Sequence, residues 1–122
     1  MGSIDMDIKA PRGVRDILPG ESWKWAYVVR TTAEAMADFG CSEVHLPLFE
    51  QTELFSRGVG ETTDIVEKEM YTFSDRGGRS VTLRPEGTAG MVRAALENGL
   101  CAQGTSAKLW CWGPMFRYER PQ

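Results

Sequence analysis

Leu83-Arg84-Pro85-Glu86-Gly87-Thr88-Ala89-Gly90 decides the reading of this chain. Before it, Ser80-Val81-Thr82-Leu83 alternates as a short strand. After it, Met91, Val92, Ala95 and Leu96 recur at helical spacing until Asn98-Gly99. The octapeptide is therefore the point where a strand turns into a helix. Pro85 suits the first helical turn, where a missing N–H costs nothing. Glycine in such a turn lets a ligand approach the backbone, and the helix start offers unpaired N–H groups. Glu86 is placed to meet an ammonium and Thr88 to orient it. A plain cap, with Glu86 complementing the helix dipole and Thr88 capping, fits the same residues.

Outward from this junction, Met70-Tyr71-Thr72-Phe73 reads as a strand that pairs with Ser80–Leu83 through a glycine-bearing hairpin, Asp75-Arg76-Gly77-Gly78-Arg79. Ser42-Glu43-Val44-His45-Leu46-Pro47-Leu48 alternates as another strand, and Pro47 confines it to an edge or a special contact. Residues 51–57 suggest a short helical turn ended by Gly58 and Gly60. The stretch Glu61 to Glu69, with four acids and one Lys, suggests a solvated loop or short helix. Residues 1–20 read as an irregular lead-in. A long helix is expected from near Glu21, after the breakers Pro19 and Gly20. Trp25, Val28, Val29, Thr32, Met36 and Phe39 would line its apolar face, and Gly40 would end it. Lys108 to Glu119 reads as a long strand interrupted by Gly113-Pro114. On it Arg117 and Glu119 would share one face, with Phe116 and Tyr118 on the other. An Arg fork beside a carboxylate can bind a phosphate and an amino group side by side. The same residues also fit an ion pair on a solvated strand. The expected class is α+β, an antiparallel sheet with flanking helices, and no alternating strand–helix units.

Composition narrows the function classes. The 122 residues carry 14 Lys+Arg against 17 Asp+Glu, a net charge of −3, with 42% apolar and 25% charged residues. These are globular values, without the basic excess of a dedicated nucleic-acid binder or a run long enough to span a bilayer. The acidic, polar start resembles neither a signal nor a transit peptide, so a cytoplasmic location is expected. Cys41, Cys101 and Cys111 are odd in number and without a CxxC pair, which suggests reduced structural thiols. His45 stands alone, lies on the polar side of its strand, and suggests a solvated or interface imidazole; no metal site is expected. Neither GxGxxG nor a P-loop occurs.

Further marks occur in order along the chain. They include Arg12-Gly13, Asp16, Leu46-Pro47, Glu50-Gln51, Leu54-Phe55, Gly60-Glu61, Thr63-Asp64-Ile65-Val66 and Lys68-Glu69-Met70-Tyr71-Thr72-Phe73. The octapeptide above follows, and then Gly113-Pro114-Met115-Phe116-Arg117-Tyr118-Glu119-Arg120-Pro121-Gln122. In that order and spacing the chain, from about Ile8 to Gln122, resembles the N-terminal part of the catalytic domain of histidyl-tRNA synthetases, class II aminoacyl-tRNA synthetases. The resemblance implies an enzyme that joins histidine to ATP as histidyl-adenylate and then transfers it to tRNA(His), with Mg²⁺ on the leaving phosphates. It makes Glu86 the acceptor of the histidine ammonium, with Gly87 and Thr88 in the same pocket. Arg117 becomes the catalytic residue between the histidine carboxylate and the ATP α-phosphate, and Glu119 its acidic partner on the adenine side. The long helix and the strand around Pro47 become the first class II motif, a homodimer interface.

On this resemblance residues 21–122 hold the first motif and half of the second, and an anticodon-binding domain is absent. The isolated chain is then expected to be inactive and to self-associate. An alternative within the same fold is the catalytically inactive, synthetase-like regulatory subunit of ATP phosphoribosyltransferase in histidine biosynthesis. The intact Glu86-Gly87-Thr88 and Arg117–Gln122 runs weigh against it.

Overall fold

The computed structural model describes residues 7–57 and 69–118. Glu119 and most of the acidic 61–69 stretch lie outside them. The chain divides into two compact units, Met1–Ala35 and Met36–Gln122. Helix α1 (Pro19–Asp38) runs through the boundary.

In the first unit, α1 begins two residues before the expected Glu21. Pro19 is itself the first helical residue, because its fixed φ suits that position and its missing N–H would be unpaired there anyway. The Leu18 carbonyl accepts the N–H groups of Glu21 and Ser22, both at 2.8 Å. The Arg15 guanidinium grips Glu21 with two bonds, at 2.7 and 3.1 Å. No residue of α1 is buried. On the expected apolar stripe Val29 and Thr32 are half-buried, whereas Trp25 and Val28 are exposed.

The second unit begins with the end of α1, where Gly40 takes φ 74° as expected. Its N–H reaches the Ala37 carbonyl at 3.0 Å and that of Cys41 the Met36 carbonyl at 2.8 Å, a left-handed glycine cap. Strand β1 (Ser42–Glu43) then pairs in parallel with β5 (Leu109–Trp110). The expected strand 42–48 is thus only two residues long. Val44 still donates to the Trp110 carbonyl at 3.0 Å. Pro47 has no N–H to continue the ladder, and the chain re-enters a sheet only at β2 (Phe49–Gln51). His45 lies in the linking stretch, exposed beside Glu43.

The main sheet is antiparallel with order β2-β4-β3, β3 being Thr72–Ser74 and β4 Ser80–Leu83. The hairpin forms where expected, but β3 lies two residues later than Met70. A three-residue loop sets this register. Asp75 N–H donates to the Arg79 carbonyl at 2.8 Å and Gly78 takes φ 81°, so pairing starts at Ser74 and Ser80. One sheet face carries Phe49, Phe73, Val81 and Leu83, and the other Glu50, Thr72, Ser80 and Thr82. Thr82 is wholly buried, and its hydroxyl is satisfied by those of Thr72 and Thr52, both at 2.9 Å. Helix α2 (Thr52–Ser56) fulfils the turn expected at 51–57 and buries Phe55.

Helix α3 (Thr88–Glu97) starts three residues after Pro85, not on it. Gly87 is its N-cap, and the Pro85 carbonyl accepts a bond from Arg117. The buried side is Ala89, Gly90, Ala94 and Ala95, while Val92 and Leu96 are exposed. Asn98-Gly99 ends it as expected. Gly99 has φ 66°, and Leu100 N–H reaches the Ala95 carbonyl at 2.9 Å. After Trp110 the expected strand 108–119 gives way to irregular chain. Gly113, at φ 145°, and Pro114 interrupt it. Beyond them Phe116 N–H bonds the Arg84 carbonyl at 2.9 Å and Tyr118 N–H the Glu69 carbonyl at 2.7 Å. Arg117 therefore lies between these two bonds, on a segment that joins no ladder among the described residues.

Candidate active site

The turn between β4 and α3 builds the site from local chemistry. Glu86 is half-buried, and its carboxylate accepts the Thr88 N–H and, at 3.2 and 3.3 Å, the Ala89 N–H. Gly87 makes no side-chain cap of its own. Glu86 thus satisfies the orphan donors of α3 from just outside the helix, and its charge sits at the positive end of the dipole. The capping role anticipated for Thr88 falls instead to Glu86, while Thr88 is the exposed first residue of the helix. A carboxylate has about four lone-pair positions, and capping leaves room for a further donor. Capping and ammonium binding are compatible roles for one side chain.

Two neighbours form a wall beside this turn. A Cβ at Gly87 would stand 3.1 Å from Cys111 Sγ and 3.3 Å from Met115 Cε, so the position favours glycine on space alone. All three cysteines are free thiols, with Cys111 half-buried. Arg117 is half-buried, and its Nε donates to the Pro85 carbonyl at 3.0 Å. That carbonyl belongs to the residue preceding Glu86, so a guanidinium and a carboxylate are anchored at consecutive residues of one turn. Phe116 is half-buried, and Tyr118 lies edge-on to Tyr71 with ring centroids 6.2 Å apart.

Pro47, exposed, belongs to a different feature. It borders a groove of about 480 Å³ together with Glu50, Leu54, Arg57 and Arg93, and neither Glu86 nor Arg117 lines that groove. The Glu50 side chain is 8% exposed and meets Arg93 through Oε2–Nε at 2.8 Å and Oε1–Nη2 at 2.9 Å. Glu97 takes Arg93 Nη1 at 2.7 Å. The hydrogen bond that Arg93 donates to Glu50 chiefly raises the Arg93 pKa above its ordinary value. Desolvation opposes this, and Glu97 adds to it. Sequence reasoning missed this pair and also Arg84, which is 4% exposed. Nothing in local periodicity distinguishes such residues, since their partners are 30 to 43 positions away. Among the described residues no group of three His, Cys, Asp or Glu side chains comes together as cation ligands. No helix among them is long and apolar enough to cross a membrane.

Comparison with known proteins identifies the family of the chain. The histidyl-tRNA synthetase family model matches residues 13–122. A histidine–tRNA ligase of Halothermothrix orenii is 60% identical over 117 residues, covering 96% of this chain and 28% of the relative. The apo histidyl-tRNA synthetase of S. aureus superposes with a TM-score of 0.77 at 45% identity, over 91% of this chain and 30% of that one. A Bacillus halodurans protein described as an ATP phosphoribosyltransferase regulatory subunit/histidyl-tRNA synthetase gives the same TM-score at 20% identity, a likeness of fold alone. The chain spans under a third of the length of these proteins. By the extent of the family match and the identity to its relatives, the chain belongs to the histidyl-tRNA synthetase family.

Proposed function

We propose that these residues form part of a site that activates histidine with ATP and passes it to tRNA(His). The single observation that carries the reading is the anchoring of Arg117 and Glu86 on one turn, the first through the Pro85 carbonyl and the second through the Thr88 and Ala89 amides. A free amino acid is a zwitterion. Its ammonium suits the remaining lone pairs of Glu86 and its carboxylate suits a guanidinium fork. Gly87 lets the turn pack closely against Cys111 and Met115, and Thr88 offers a hydroxyl at the rim.

Adenylate formation sets a carboxylate against a negatively charged α-phosphate and releases pyrophosphate. Repulsion and misorientation are the main obstacles. Arg117, held between the two anions, would stabilise the charge developing on the phosphate and fix the attacking carboxylate. Glu119 is proposed on the adenine side. The carboxylate of histidine is itself the nucleophile, so no side-chain nucleophile is needed. Mg²⁺ arriving with ATP would neutralise the leaving phosphates.

A homodimer through α1 and the Pro47 segment accompanies this reading, supported by the exposure of Trp25 and Val28 on α1 and of Phe39 beyond it. The regulatory-subunit alternative shares the fold, but the intact Glu86, Thr88 and Arg117 favour the synthetase. The test is calorimetric titration of the chain with histidine. Heat is expected with the wild type and is lost in Glu86→Ala and in Arg117→Ala. Equal heats from all three proteins would refute the assignment.

A further inference from the structure

We propose that Arg84 is a positioning residue for Arg117, holding the Gly113–Arg117 segment against the Glu86 turn through its buried guanidinium. The inference rests on the histidine-activation reading for its consequence, but its geometry stands independently. Arg84 is 4% exposed. Among the described residues its side chain bonds a neutral carbonyl, Nε donating to Pro114 O at 3.0 Å, and no carboxylate. A buried cation with such a partner is a poor source of stability, since desolvation costs more than one neutral hydrogen bond returns. What the arrangement supplies is placement.

Three bonds tie residues 84–85 to residues 114–117. Arg84 Nε reaches the Pro114 carbonyl, Phe116 N–H reaches the Arg84 carbonyl at 2.9 Å, and Arg117 Nε reaches the Pro85 carbonyl at 3.0 Å. The Arg84 N–H donates to the Leu48 carbonyl at 2.9 Å, which fixes the clamp to the end of the sheet. Gly113 completes it. Its φ of 145° disfavours any side chain, and a Cβ there would stand 2.5 Å from Arg84 Nη2. Arg84 Nη2 therefore fills the space a side chain at Gly113 would take, while Nε donates to the next carbonyl. Lysine has no atom equivalent to Nε and ends in a compact ammonium, so it cannot reproduce this two-point grip. Arg84 acts on the reaction only through the position of Arg117.

The test uses the chain with Arg84→Lys and, separately, Gly113→Ala, whose added methyl displaces the guanidinium without changing the residue at 84. Amide exchange is followed at Phe116, inside the clamp, and at Met91, whose N–H bonds the Gly87 carbonyl in α3. Both variants are expected to speed Phe116 exchange about tenfold and to leave Met91 within about twofold of wild type. Uniform acceleration at both amides, or none at either, would overturn the proposal. The second readout compares histidine with histamine, which lacks the carboxylate. The preference for histidine is expected to fall about tenfold in Arg84→Lys, with histamine affinity unchanged. Equal weakening of both ligands would mark Arg84 as an ordinary packing residue. If the wild type binds neither ligand, the histidine reading fails and the Phe116 exchange alone decides the role of Arg84.

Discussion

At the start of α1, Glu21 lies inside the first turn and its carboxylate is taken by Arg15 in an exposed two-bond pair. At the start of α3, Glu86 lies just outside the helix and accepts the first free amides of the helix itself. Both sequences put a proline, a glycine and a glutamate near a helix start. The difference is the surroundings. Nothing stands within 4 Å of a Cβ placed at Gly20, whereas Gly87 is walled by Cys111 and Met115 and sits beside the carbonyl that anchors Arg117. A helix start becomes a candidate site when long-range packing brings a second charged group and a wall to it.

The largest break in this comparison is expected from ligand binding. Glu86→Ala should weaken histidine binding by about 10- to 100-fold, the value of a charge-assisted bond. It should also cost about 1 kcal/mol of stability through the lost cap. Glu21→Ala should leave histidine affinity unchanged. Titration of both variants side by side checks this, and a loss in Glu21→Ala would erase the distinction between the two helix starts.

The next effect is on stability. Glu50→Ala leaves Arg93, among the described residues, with Glu97 as its remaining ion-pair partner. For this shielded pair a cost of about 2–3 kcal/mol is expected in urea unfolding. Arg15→Ala breaks a pair of similar bond lengths in water and should not shift the transition measurably. The glycines sharpen the contrast further. Gly87→Ala should destabilise by about 1 kcal/mol through overpacking against Cys111, and Cys111→Ala should relieve it. Gly20→Ala, inside α1 with open space around it, should instead stabilise by about 0.5–1 kcal/mol.

Much of the local structure was legible because it is encoded locally. Gly40 and Asn98-Gly99 end their helices as their backbone freedom implies, and Gly77-Gly78 turns the hairpin. The strand Ser80–Leu83 forms at the expected residues. Elements whose shape depends on distant partners were read less well. The stretch 108–119 alternates like a strand, yet Gly113 and Pro114 leave only Leu109–Trp110 in a ladder, and that ladder is parallel to Ser42–Glu43. Pro85 looked like a helical first residue, but Glu86 supplies the cap and delays the helix to Thr88. Of the candidate site, Glu86 and Arg117 were chosen from the sequence. Arg84 was not, because its burial and its Pro114 bond depend on contacts 30 residues apart.

The smallest effect concerns pH. The hydrogen bond from Arg15, and then that from Trp25, holds the Glu21 carboxyl below its ordinary pKa. Its folded-state pKa is depressed, so the pair's contribution is present above the ordinary carboxylate range and fades as pH falls through the lowered value. Because both side chains are exposed, 1 M salt should move the titration of Glu21 back toward normal, as followed by carboxyl carbon shifts.

The most direct measurement of the central claim is a histidine titration followed by amide chemical shifts across both helix starts. The account predicts saturable shifts at Thr88 and Ala89, the amides held by Glu86, and none at Glu21 and Ser22. Shifts at neither pair, or equal shifts at both, would contradict the assignment of the Glu86 turn as the histidine site.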